Sequence, residues 1–270
     1  MVLRPVAVYK DPFGNERGIG KLVLCETLDL DMTPSASNHR HHCFQGMRTP
    51  ECQAADPKFS MIQKYFVIDK KTNRPLGWPD NSEPIADKTR CKYLPYGFEA
   101  GYMTMDASHF CRQAGLRFLL HRHTEYAGFW TFQVANCDKG MVEVADQLWM
   151  ARYILQRTAE TFGMLISFAP LAPGGGPKAK LEVWFKSQEI TDEMENLKVL
   201  RRIRTAEKLD WKTRKLEAIA HNRFFGLKNY IRDTRASADS DPYQLTVKLM
   251  EESGVLEEQS VFLDALCLWE

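Results

Sequence analysis

Residues 141–162 read MVEVADQLWMARYILQRTAETF, and this stretch constrains the fold more than any other. Leu148, Ala151, Ile154, Leu155 and Phe162 recur at helical spacing and make one apolar stripe, which Gly163 stops. Such a stripe must be buried against something, and the candidates stand on either side. FWTFQVAN (129–136) alternates as a strand, with Phe129, Thr131, Gln133 and Ala135 on one face and Trp130, Phe132 and Val134 on the other. MLISFAP (164–170) is an apolar run of the buried-strand type. A long amphipathic helix between two strands calls for a sheet with helices laid on it.

The remaining segments extend that layer. PVAVY (5–9) and KLVLCETL (21–28) flank DPFGNERGIG, rich in turn residues, and predict a hairpin. Asn38 is placed to cap a short helix over 39–47. MIQKYFVID (61–69) predicts a strand closed by a turn over 70–79, with a polar loop to about 95. A helix over 103–114 ends at Gly115, and LRFLLHRHTE (116–125) predicts the strand before the Tyr-Ala-Gly turn. LEVWFKS (181–187) alternates with Leu181, Val183 and Phe185 on one face. Residues 189–224 are strongly charged and expected to be helical, a further helix covers about 243–256, and the apolar tail VFLDALCLWE is expected to dock. The expected class is α+β, a curved antiparallel sheet backed by helices.

A net charge of +1 gives no global field to attract nucleic acid or a membrane. The seven cysteines are odd in number and contain no C-x-x-C pair, which points to a reducing compartment rather than to disulfides. The start MVLRPVAVYKDPF has no long apolar core, so a signal peptide is not expected, and no apolar run is long enough to span a bilayer. A cytoplasmic protein is the expectation. SNHRHHC (37–43) holds His39, His41, His42 and Cys43 and admits two readings, a metal site or the solvated first turn of a helix. No two of the histidines are i, i+4 spaced, which favours the helix turn.

The stretches LRPVAVYKDPF, KLVLCE, SNHRHHC, MIQKYFVID with LGWP, FWTFQV, DQLWMARYILQR, SFAP and SADSDPY occur in one order along the chain. In these residues the chain resembles eukaryotic-type glutamine synthetase, over residues 3 to about 187 and about 228 to 250. The resemblance implies a catalytic-domain-like sheet over 38–270, with a charged helical segment at about 189–228, and a remnant hairpin of an N-terminal β-grasp domain over 1–30. It also implies the chemistry of that family, in which ATP phosphorylates the γ-carboxylate of glutamate and ammonia attacks the product. Phosphoryl transfer of this kind relies on divalent ions held by oxygen ligands.

Carried over position by position, the implied metal ligands fall on Ile62, Lys64, Glu125, Thr131, Glu182 and Arg232. Glu125 keeps the family's carboxylate, and Glu182 stands where the family has histidine. Ile62 cannot ligate, and Lys64 and Arg232 are cations where Mg²⁺ or Mn²⁺ is expected. Thr234 replaces one of the final arginines, and Arg235 stands where the second would be. The SNHRHHC register carries no metal role in the family. Lys178 and Lys180 in the GGGPKAK loop admit either a nucleotide-phosphate site or a solvated loop. Glu125 with Glu182 admits either a residual cation site or carboxylates satisfied by Lys64 or Arg232.

These substitutions lead to the expectation of a catalytically inactive glutamine synthetase-like protein with a structural or interaction role. Its partners are then other proteins of a larger assembly, or an intact glutamine synthetase paralogue, with no nucleic acid, no membrane and no cofactor. The alternative is a residual ATP-dependent glutamate–ammonia ligase with an altered metal site, which would need Mg²⁺ or Mn²⁺ and ATP. Lys64 and Arg232 discriminate: a scaffold needs them only as ion-pair partners, an enzyme needs them to hold phosphate.

Overall fold

The computed structural model describes residues 1–14, 20–78, 98–172, 176–188, 216–219 and 230–256. Strands β1 (Val2–Lys10) and β2 (Lys21–Leu28) form the expected antiparallel hairpin as a separate two-stranded sheet. Tyr9, Leu22 and Leu24 pack against the main core, while Leu3, Val8 and Val23 are exposed.

Asn38 joins this hairpin to the rest. Its Oδ1 accepts the His41 amide at 3.0 Å and caps α1 (His39–Met47), while its Nδ2 donates to the Thr27 carbonyl at 2.9 Å on β2. A short helix α2 (Pro50–Ala55) follows that the periodicity did not reveal. Its start was nevertheless written in the sequence, because Thr49 caps it and Pro50 stands at the first helical position.

The main sheet is built on β3 (Lys58–Asp69), which begins three residues before the expected strand. The order is β5-β6-β3-β8-β10-β9, and every pairing is antiparallel. Its members are β5 (Phe118–His123), β6 (Phe129–Lys139), β8 (Leu181–Lys186), β9 (Leu216–Ile219) and β10 (Tyr230–Asp233). Two short strands, β4 (Arg74–Pro75) and β7 (Met164–Ser167), pair with the far end of β3. Near its end β6 departs from regular strand geometry: Ala135 and Cys137 lie in the left-handed region at φ 61° and 52°. The Ser60 hydroxyl donates to the Ala135 carbonyl at 2.9 Å and holds that distortion.

Helices α3 (Phe98–Gln113) and α4 (Met141–Thr161) cover one face of the sheet. Leu148, Ala151, Ile154 and Leu155 of α4 are buried as the stripe requires, and Gly163 follows at φ +66°. They meet Met61, Tyr65, Trp130, Phe132, Val134, Leu181, Val183 and Phe185 from alternate positions of three strands. Helix α5 (Pro242–Ser253) lies against both α1 and α4 and closes the layer. The fold is therefore α+β, an open antiparallel sheet backed by helices.

Two expectations are corrected. Helix α3 begins at residue 98 rather than 103. The charged stretch 189–224 was expected to be helical, but Leu216–Ile219 is strand β9, registered Tyr230↔Ile219 through Asp233↔Leu216. The four residues LEAI are too few to carry a periodicity that separates helix from strand, and β10 supplies the partners. The rest of 189–224, the loop over 79–97 and the tail VFLDALCLWE lie outside the described residues. No helix among the described residues is long and apolar enough to cross a membrane.

Candidate functional site

The sheet face opposite the helices carries the positions that the sequence singled out. Strand register brings them together: Lys64 lies across from Thr131, Ile62 from Glu182, and Arg232 from Trp184. Glu182 is the centre of this group. Its Oε1 lies 2.8 Å from Lys64 Nζ, and its Oε2 accepts a 2.9 Å hydrogen bond from Arg232 Nη2. The Glu182 side chain is 8% exposed, against 30% for Lys64 and 29% for Arg232. Burial alone would raise its pKa, but the hydrogen bonds and charges of Lys64 and Arg232 outweigh burial and hold it below the usual carboxylate value. Arg232 also stacks over Trp184, 5.5 Å from the ring centroid.

This donor set does not fit a divalent ion. Mg²⁺ and Mn²⁺ take several oxygens at once, and here one carboxylate has both oxygens engaged by cations. Ile62 offers no ligand atom. Thr131 is 4% exposed, and its Oγ1 has no hydrogen-bond partner among the described residues. Glu125 is exposed on the turn beyond β5. Among the described residues no three His, Cys, Asp or Glu stand together as ligands.

The other candidates are spread out. Lys178 is exposed, while Lys180 begins the approach to β8 and its carbonyl accepts the Lys64 amide at 3.1 Å. Thr234 is buried just after β10. Arg235 is drawn into the interior, where it pairs with Asp233 and with Glu252 of α5 at 2.6 Å. In SNHRHHC the side chains take different partners, although the His41 and His42 rings stand edge to face at 6.1 Å. His39 contacts Gln244, His41 contacts Gln45, and Cys43 is buried against Thr246. Burial pushes the Cys43 thiol up to about 12.

Sequence reasoning passed over the buried polar residues that fix the scaffold. Arg152 of α4 donates to Gln63 Oε1 at 3.0 and 2.6 Å and to the Ala238 carbonyl at 2.9 Å, which pins the SADSDPY segment beneath the sheet. His121 is held between the Tyr65 hydroxyl at 2.6 Å and the Ser108 hydroxyl at 2.7 Å. Polar residues on otherwise apolar faces were the only signal available for either.

Comparison with known proteins agrees with this architecture. No protein-family model matches the chain. It is 32% identical to the "Probable glutamine synthetase" of Caenorhabditis elegans, over 92% of its own length and 77% of that protein. It is 30% identical to the glutamine synthetase of Neurospora crassa, over 92% of its length and 76% of that protein. Among solved structures it is similar to a cryo-electron microscopy structure of Plasmodium falciparum glutamine synthetase, with a TM-score of 0.63. That likeness covers 87% of this chain and 58% of the other at 10% identity, and concerns the fold. With a shared order of motifs, a shared fold and 30–32% identity along nearly its whole length, this chain belongs to the glutamine synthetase family.

Proposed function

We propose that this glutamine synthetase relative is catalytically inactive and serves a structural or protein-interaction role in a cytoplasmic assembly, alone or together with an intact paralogue. The observation that carries the reading is the pairing of Glu182 with both Lys64 and Arg232. Two positions where the family resemblance expects carboxylates for metal ions are cations, and each has a carboxylate partner already. An ion-pair role accounts for both. A ligase would need both to release Glu182 before phosphate or metal could approach.

The test is a γ-glutamyl transferase assay with Mn²⁺, run beside thermal shift with ATP, Mn²⁺ and methionine sulfoximine. The expected result is no turnover and no stabilisation by the metal. Turnover with stabilisation would sink the reading. Native mass analysis, alone and after co-expression with an intact glutamine synthetase, separates a free chain from a co-assembled one.

A further inference from the structure

Between the hairpin and helices α1, α2 and α4, on the helix side of the molecule, lies an open cleft of about 860 Å³. Val8, Tyr9, Phe44, Met47, Pro57 and Val142 supply its apolar walls. The charged groups that line it cancel in pairs: Lys58 with Asp56, Lys139 with Glu143, and Arg40 with Asp146. A cleft without net charge has no field to draw a phosphate or a nucleic acid. Apolar walls with a neutral polar rim suit an apolar peptide segment instead.

The chain itself supplies such a segment, and the end of α5 aims toward it. Gly254, at φ +77°, stops the helix, and the Val255 and Leu256 amides both bond back to the Met250 carbonyl. Leu256 then lies on α1, where a Cβ on Gly46 would stand 3.2 Å from its Cδ1. Gly46 is next to Met47, a wall of the cleft. Residues 257–270 read EEQSVFLDALCLWE. The EEQS spacer can reach about 13 Å when extended, enough to cross from Leu256 to the cleft mouth. Beyond it, Phe262, Ala265, Leu266 and Trp269 recur at i, i+3, i+4 and i+7, and Asp264 is the one charge in VFLDALCLW.

We propose that residues 261–270 dock in this cleft, with their apolar stripe on Val8, Phe44, Met47 and Val142. The segment then ties the hairpin to the body from a second side, besides the link that Asn38 makes. Its own chain is favoured as the source over a separate partner or a second copy, because a short tether holds the segment at a high effective concentration. Catalysis plays no part in the argument, so the docking and the proposed loss of activity fail separately.

The experiment is thiol cross-linking of the full chain with a short bismaleimide, followed by peptide mass mapping. Cys25→Ser and Cys91→Ser form the background, and Cys267 of the tail is one anchor. Gln53→Cys, exposed at the cleft on α2, is the other, and Lys71→Cys, exposed at the far end of β3, is the control. An intramolecular link from position 53 to Cys267 is expected, with none from position 71. Leu266→Asp should slow that link about 10-fold, the worth of one buried leucine, which a merely tethered tail would not show. No link at 53, equal links at 53 and 71, an unchanged rate in Leu266→Asp, or a link that joins two chains overturns the proposal.

Discussion

Arg40 and Asp146 meet through two parallel 2.9 Å hydrogen bonds, Nε to Oδ1 and Nη2 to Oδ2, across 106 residues of sequence. The Tyr243 hydroxyl donates to the same carboxylate, so α1, α4 and α5 are tied at one point. Burial and the Asp146 charge push the Tyr243 phenol up, which keeps it a donor. In SNHRHHC the residue of consequence is thus the arginine, not the histidines. Arg40→Met should destabilise the protein by about 3 kcal/mol, because it strands a buried carboxylate. Urea unfolding at pH 7 measures this, and a loss below about 0.5 kcal/mol would mean the pair is solvated.

Glu182→Gln should remove the carboxylate that Lys64 and Arg232 share. Because those two partners are about a third exposed, the expected loss is moderate, about 2 kcal/mol. Added salt should recover part of it, since screening weakens the remaining repulsion. The folded pKa of Glu182 is depressed, so its contribution is complete above the ordinary carboxylate value and fades as pH falls through the folded one. Urea midpoints for the two proteins should therefore converge on acidification.

His121 gives a second acid dependence. Burial holds its imidazole down at about 3, against an ordinary value of 6.5. Between those values the unfolded chain binds a proton that the native protein refuses, so stability falls as pH is lowered through that window. The slope for one proton approaches ~1.4 kcal/mol per pH unit. His121→Gln should show a shallower fall between pH 7 and pH 4.5 than the parent protein, and equal slopes would refute a neutral buried imidazole.

Two glycines should respond differently to alanine. Gly128 has φ +62°, and an added Cβ would lie 2.7 Å from the backbone N and O of Leu76. Gly163 has φ +66° with nothing within 4 Å. Gly163→Ala carries only the left-handed penalty, about 1–2 kcal/mol. Gly128→Ala adds a backbone collision beside the bond from the Val67 amide to the Gly128 carbonyl, and should lose clearly more in the same thermal unfolding series.

The sequence was most readable where one short-range rule decided the outcome. The α4 stripe, the alternation of β8, the Asn38 cap and the hairpin each follow from spacing or from one side chain. The Lys64–Glu182 contact was open to inference because the family resemblance had placed both residues at one site. Contacts such as Arg40 with Asp146, or Arg152 with Gln63 and Ala238, join residues whose neighbours in sequence say nothing about each other. Strand β9 was misread for a related reason, since its identity lies in the edge it pairs with.

The position of α5 has a consequence for how the protein is made. Tyr243, Leu245, Thr246, Leu249 and Met250 supply the surface that α1 and α4 bury, and α5 is the last described element to leave the ribosome. Without α5 the apolar surfaces of α1 and α4 that it covers stand open, the kind of surface that holding chaperones bind. A chain stopped at residue 241 should therefore light up a hydrophobic dye that the full chain excludes, and an unlabelled truncation would show that those surfaces close without α5.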